Sequence, residues 1–375
     1  MVTTGTAFVY VCFLCLLTTI RCFLVQLPID ASPSQLHSKS KNRDKEELDG
    51  LLTGIGLTPV PKKNRDRQQS KQTRKKGIKN ANKVSVGAQL DYARNGHAVL
   101  RDFIDPKTLQ VVRKKVLDYA KEEELFAWKQ KVQVATNSAT SCNSVEACRR
   151  ELESLGIRDI PFLQFFNTWT SLPEVKKLAF DLGEVASTLL DVPRIRLYQD
   201  SIFWKRTEDG PTPWHVDAKM APFDTSHLLT LWIPLNDIPK YGTGLLFVSK
   251  SHSDFALPYW NPIPEGEESL PNEWERLEER YAEQIVDYMP LKIGDITAHS
   301  GWTLHCANDN NASNDRLALA ISYVDANAQL RADALDDNGK GDNEDQNSYK
   351  KWAKSVPPRT NFEHELAPIV FDNLK

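Results

Sequence analysis

The residues of this chain whose types and spacing could do chemistry are His215 and Asp217, in the run Trp-His-Val-Asp at 214–217. Residues 214–218 read as a β-strand. Alternate strand side chains share a face, so this imidazole and this carboxylate can both reach one metal ion. A second histidine, His305, lies far downstream in Trp-Thr-Leu-His-Cys at 302–306, and Arg316 follows it by eleven residues. Two imidazoles and one carboxylate hold a divalent metal and leave neighbouring positions open, the facial arrangement that suits non-haem Fe(II) oxygenases. A planar guanidinium nearby fixes a carboxylate bidentately better than a lysine would.

Such a constellation needs a rigid frame, and the chain supplies one after a helical lead-in. Residues 89–97 predict a short helix feeding a strand at 97–101, and 106–125 and 172–190 predict helices with Pro106 and Pro173 in their first turns. From Arg194 the rhythm changes to short β segments at 194–204, 214–218, 228–236, 245–248, 284–290, 296–299 and 317–324. Turn signals such as Asp209-Gly210 separate them. This order predicts a mainly β protein with helices: a double-stranded β-helix core, jelly roll or cupin-like, with N-terminal helices packed on it. The β rhythm stops at 254–284, where a helix at 271–281 reads equally as a lid or as surface decoration.

With 375 residues, one folded domain behind a long extension is the simplest division. The expected boundaries are a signal peptide-like segment at 1–22, a disordered basic extension at 23–85, the catalytic domain at 86–330, and an acidic loop and C-terminal tail at 331–375. The apolar run at 7–20 has the length of a signal-peptide h-region and is too short to span a bilayer comfortably. Between Lys62 and Lys83 there are ten Lys or Arg and one acid, a composition that cannot bury enough apolar surface to offset its ordering entropy. The order of these segments predicts passage into the secretory pathway, to the ER or outward. A plastid destination is the alternative, since hydrophobic and then basic segments resemble a bipartite presequence. A net charge of −3 gives no global push towards nucleic acid, and no stable membrane span is expected in the mature chain. Three of the six cysteines fall at 12, 15 and 22; Cys142 and Cys148 could close a small disulfide loop or stand as separate thiols.

Taken together, Asp-Ser-Ile-Phe-Trp-Lys at 200–205, Trp-His-Val-Asp at 214–217, Thr-Leu-Trp-Ile-Pro-Leu at 230–235, the run 244–252 ending in Ser-His, Gly294-Asp295, His305 and Arg316 form a set. The set resembles the phytanoyl-CoA dioxygenase family of Fe(II)/2-oxoglutarate-dependent oxygenases, and the resemblance covers roughly 86–328. It implies that His215, Asp217 and His305 bind iron and that Arg316 pairs with the distal carboxylate of 2-oxoglutarate. Trp232 would line the cosubstrate pocket, and Gln164 and Ser201 would contact the cosubstrate. His299, six residues before His305, competes as a ligand if the strand is unbroken. The family's eleven-residue spacing to Arg316 favours His305, leaving His299 as a pocket or core histidine.

The implied activity is hydroxylation of an aliphatic C–H bond in a small-molecule or lipid-like substrate, with 2-oxoglutarate and O2 converted to succinate and CO2 and ascorbate in support. A non-catalytic jelly-roll ligand-binding protein is the rival, and a halogenase is disfavoured because Asp217 occupies the position a chloride would need. The sequence leaves the prime substrate and the oligomeric state open. Trp204, Trp214, Phe223, Tyr259 and Trp260 suggest an aromatic entrance or ordinary packing. Lys250 replaces the glycine usual before Ser-His, and Ala307 stands where several members have a serine. Asn311-Ala-Ser313 is a glycosylation sequon that also matches a structural loop of the family.

Overall fold

The computed structural model describes residues 83–158, 160–254, 273–335 and 344–374. The signal-like segment, nearly all of the basic extension, the middle of the 254–284 insertion with Tyr259 and Trp260, and the centre of the acidic loop lie outside the described residues.

The helices are α1 Val86–Asn95, α2 Pro106–Glu122, α3 Glu124–Thr136, α4 Val145–Ser154, α5 Pro173–Asp181, α6 Gly183–Leu190, the single turn α7 Asp217–Met220, α8 Glu273–Tyr281 and α9 Glu344–Ala353. The strands are β1 His97–Leu100, β2 Leu163–Phe166, β3 Arg194–Lys205, β4 Thr212–His215, β5 Phe223–Asp224, β6 Leu228–Pro234, β7 Leu245–Val248, β8 Ile285–Asp287, β9 Ile296–Ser300, β10 His305–Ala307, β11 Arg316–Asp325, β12 Gln329–Leu330 and β13 Ile369–Asp372. α1 starts as its sequence demands: the Ser85 hydroxyl accepts from the Ala88 amide at 3.1 Å, and Gly96, at φ 81°, closes the other end.

Two antiparallel sheets form the core. The larger runs β1-β9-β6-β11-β3-β13 with β2 also on β3, and the smaller runs β4-β10-β7-β8. This is the expected jelly roll. β6 shows how its two faces diverge, since all seven of its residues are buried. Leu229, Leu231 and Ile233 join the core shared with the helical layer, together with Leu317, Leu319, Ile321 and Tyr323 of β11. Their neighbours Trp232, Ala318 and Ala320 pack instead with Leu245 and Phe247 of the small sheet. Period-two alternation thus assigns one set of residues to the helices and the other to the space between the sheets.

Several expectations change on folding. The helix read over 106–125 stops at Glu122 and α3 follows at once, while the one read over 172–190 divides at Leu182 into α5 and α6. The strand read at 214–218 ends at His215, because the chain turns into α7 at Asp217. The stretch read as an acidic loop and tail supplies α9 and β13, and β13 pairs with the N-terminal end of β3. Buried Arg196 secures that segment by donating to the carbonyls of Ala367 and Phe362, with its guanidinium 4.4 Å from the Phe362 ring centre. Cys142, Cys148 and Cys306 are free, buried thiols. Among the described residues no helix is long and apolar enough to cross a membrane.

Candidate metal centre

His215 ends β4 and His305 begins β10, and these two residues face each other in the antiparallel register of the small sheet. Their ring centres lie 4.2 Å apart. Asp217 reaches the same point by a different route from the strand alternation read in the sequence. Val216 is extended, at φ −127° and ψ 132°, so the two-residue periodicity survives for one more step before α7 begins at Asp217. Gly301 fixes where that turn sits. Its carbonyl accepts from the Ala218 amide at 2.8 Å and its amide donates to Leu228 at 2.7 Å. A Cβ on residue 301 would meet Leu228 Cδ2 at 2.5 Å, Leu228 Cβ at 3.1 Å and Ala218 Cβ at 3.2 Å, so a side chain there would displace the Leu228 side chain and crowd the Asp217 turn.

The hydrogen bonds determine where the protons are. His215 Nδ1 lies 2.8 Å from the Pro213 carbonyl and His305 Nδ1 lies 2.9 Å from the Thr303 carbonyl, and a carbonyl can only accept. In the neutral rings each Nδ1 therefore carries the proton and each Nε2 a bare lone pair. Those two lone pairs lie 3.8 Å and 3.6 Å from Asp217 Oδ1, too far for hydrogen bonds. Three electron-rich atoms thus converge with no proton between them, and the ligand atoms of His215, Asp217 and His305 all fall within 4.8 Å of one another. Such a cluster fits a divalent cation at its centre and is repulsive without one.

Electrostatics keep the donors in their binding forms. Burial, and after it the neighbouring His215 and His299, pushes His305 well below the ordinary imidazole value, so it is neutral. Burial by itself would raise the Asp217 carboxyl, but the hydrogen bond that His299 donates to it opposes burial and favours the carboxylate. His299 itself is buried, places Nε2 3.1 Å from Asp217 Oδ2, and packs its ring with its centre 4.3 Å from that of His305. β9 ends at Ser300 and a turn separates it from β10, so His299 and His305 do not share one unbroken strand.

The triad opens into a cavity of about 290 Å³ between the sheets. Arg316, the first residue of β11, also lines it; the residue is 4 % exposed, and Nε has no hydrogen-bond partner. Among the described residues no carboxylate forms an ion pair with it. Asp209, which partly offsets its charge, is already bound to Arg206 at 2.8 Å. Burial lowers the Arg316 pKa only to about 10, so the guanidinium stays charged. Its Cζ lies 5.4 Å from the Trp232 ring centre, which gives the cation an aromatic floor but no counter-charge. A buried cation without an anion is costly, and a carboxylate-bearing ligand relieves that cost.

Gln164 and Ser201 line the same cavity and meet across β2 and β3, with Gln164 Nε2 3.3 Å from Ser201 Oγ. Of the aromatics read as an entrance, Trp204 is tied to Asp315, Trp214 to Glu278, and Phe223 packs against Tyr198 and Phe362; none of the three lines the cavity. Lys250 holds the turn that its departure from glycine put in question, at φ 69°. Ala307 is buried in β10, and in the sequon loop Asn311 is bound to Asp309 while Asn310 secures the loop to Lys205. Sequence reading passed over Thr230 and Ser322 as functional residues, because Thr230 reaches Asp217 of α7 from β6 and Ser322 is linked to it only through Thr230.

The sequence model of the phytanoyl-CoA dioxygenase (PhyH) family matches residues 92–318. Among curated proteins none matches the chain. Similar solved structures include the non-heme alpha ketoglutarate dependent carbocyclase SnoK from nogalamycin biosynthesis, 21% identical with a TM-score of 0.54, covering 78% of this chain and 99% of that one. Another is EctD from S. alaskensis in its apoform, 18% identical with a TM-score of 0.50, covering 68% and 82% respectively. These likenesses show a shared fold. The matched span contains both histidines, the aspartate and the arginine of the site, and the chain belongs to the phytanoyl-CoA dioxygenase family of iron- and 2-oxoglutarate-dependent oxygenases.

Proposed function

We propose that the protein hydroxylates an aliphatic C–H bond of a small-molecule or lipid-like substrate, using Fe(II), 2-oxoglutarate and O2. The observation that carries this reading is the placement of a buried, uncompensated Arg316 in the same cavity as the His215–Asp217–His305 cluster. A metal-binding protein without the cosubstrate would have no use for the unpaired guanidinium. Bound iron would supply the oxidising power once 2-oxoglutarate is decarboxylated to succinate.

The chain's own residues do the rest. Arg316 binds the remote carboxylate through its fork and, lying on Trp232, fixes the direction from which the cosubstrate reaches the triad. Thr303 and Pro213 hold the two imidazoles in the tautomer whose Nε2 atoms face inward. Phe162, Phe203, Met220, Leu228 and Leu245 make the remaining wall largely apolar. Asp217 and Arg316 are the only acid and base among the described lining residues apart from the histidines, so the buried part of the substrate is uncharged and water is poorly accommodated beside it.

Succinate release from the full chain mixed with Fe(II), 2-oxoglutarate and ascorbate tests the reading, with Asp217→Ala as the blank. Release that matches the blank would leave a ligand-binding jelly roll as the better account. The N-terminal order of segments supports the further reading that the protein enters the secretory pathway. A fluorescent fusion of residues 1–85 that stays uniformly cytosolic would refute it.

A further inference from the structure

We infer that Thr230 and His299 are positioning residues that restrict Asp217 to a single metal-binding oxygen, and so set how many coordination positions remain for cosubstrate and oxygen. The inference rests on the proposed function and concerns residues outside the ligand set.

The geometry assigns different work to the two carboxylate oxygens. Oδ1 faces the converging Nε2 atoms of His215 and His305. Oδ2 accepts from the Thr230 hydroxyl at 2.6 Å and lies 3.1 Å from His299 Nε2. Because a carboxylate can only accept, both partners must donate. Thr230 has one hydroxyl proton, which goes to Asp217, so in its 3.0 Å contact with Ser322 it is Ser322 that donates. The chain of donors therefore runs one way, from Ser322 to Thr230 to Asp217. For His299 the same logic places the proton on Nε2. Its Nδ1 is buried without a partner, so the ring shows no competing hydrogen bond that would turn it from the carboxylate.

Counting positions shows why this matters. An octahedral metal held by two imidazoles and one carboxylate oxygen keeps three positions, enough for a bidentate 2-oxoacid and one further ligand. A chelating carboxylate would leave two. Oδ2, with two donors already directed at it, is both stabilised where it is and poorly available to a metal. Thr230 is on β6, Ser322 on β11 and His299 on β9, so the large sheet holds the carboxylate while the small sheet holds the imidazoles.

Anaerobic titration of the full chain with Co(II), followed by its d–d absorption and then by added 2-oxoglutarate, tests this. Thr230→Val keeps the side-chain shape and removes the donor, whereas Thr230→Ser keeps the donor. Thr230→Val is expected to weaken Co(II) binding about 10- to 100-fold and to change the absorption spectrum, and Thr230→Ser to restore both. His299→Phe should act in the same direction as Thr230→Val, with circular dichroism confirming that each variant is folded. A folded Thr230→Val protein with wild-type affinity and spectrum would overturn the inference, as would a folded Thr230→Ser protein that restores neither. A wild-type chain that takes up no Co(II) would overturn the metal reading itself, a result distinct from wild-type uptake with indifferent variants.

Discussion

The two faces of the large sheet are built from alternate residues of the same strands, yet they obey opposite rules. On the helix side, Leu229, Leu231, Ile233, Leu319 and Ile321 are fully buried among other apolar groups. The polar groups there are satisfied within the core: the Tyr323 hydroxyl donates to the Ala179 carbonyl at 2.7 Å, and the buried Asp200 carboxylate accepts from the Thr168 hydroxyl and, at 2.9 Å, from the Trp169 amide. On the cavity side, Thr230, Ser322 and Arg316 are equally part of β6 and β11, but here donors point at a carboxylate and a cation lacks its anion. One residue of register separates a position selected for packing from a position selected for chemistry. The buried cation without an anion, Arg316, lies on the face that must bind something, which is where a protein can tolerate its cost.

This contrast can be broken at four places. The largest effect should come from Asp217→Ala, which removes the only carboxylate of the cluster: succinate formation should fall to background and Fe(II) affinity should drop, with thermal stability little changed. Normal turnover by this variant would show that the cavity face is not the chemical one. Leu231→Ala, on the opposite face, should cost about 2–5 kcal/mol in urea unfolding through the cavity it leaves, while the protein that remains folded binds Fe(II) as before. If metal affinity falls with stability, the two faces are not independent.

Arg316→Lys sharpens the comparison, because it keeps the charge and loses the fork. The apparent KM for 2-oxoglutarate should rise about 10- to 100-fold, the loss of one or two charge-assisted hydrogen bonds, with a smaller change for the prime substrate. Equal effects on both would argue against Arg316 as the carboxylate anchor. The smallest effect is expected at Lys250, which lies on neither face. Lys250→Gly should stabilise the fold by about 1 kcal/mol by relieving the left-handed backbone at φ 69°, read as a higher melting temperature with unchanged kinetics. A fall in stability would mean that the lysine side chain contributes more than its backbone costs.

How much of this was legible in the sequence follows from the same geometry. His215 and Asp217 were readable because two-residue periodicity is local, and it held through Val216 even though the strand gave way to a helical turn. β6 was readable as a strand from its apolar run, but Thr230 within it looked like an ordinary sheet residue. Its partner Asp217 lies in α7, and no local pattern encodes that contact. His299 could be narrowed to a pocket or core position, yet its bond to Asp217 depends on the turn at 301–303 that separates β9 from β10. Trp204 and Trp214 were visible as aromatics, while Asp315 and Glu278, which turn them into packing groups, come from distant segments. The last strand escaped for a related reason, since β13 takes its place only by pairing with residues 194–196, far back in the sequence.

That late strand also bears on the order in which the molecule can be assembled. The outer edge of β3 is covered by two strands, β2 over residues 201–204 and β13 over 194–196. β2 is synthesised shortly before β3, but β13 emerges only after the whole second half of the jelly roll. A nascent chain therefore carries an open stretch of β edge, and an Arg196 guanidinium without its Phe362 and Ala367 acceptors, until residues 362–372 have been made. An unpaired edge is a template for another chain. Ribosomes stalled between β11 and β13 should yield a soluble fraction that falls with nascent-chain concentration, and a peptide spanning 360–374 supplied in trans should protect it.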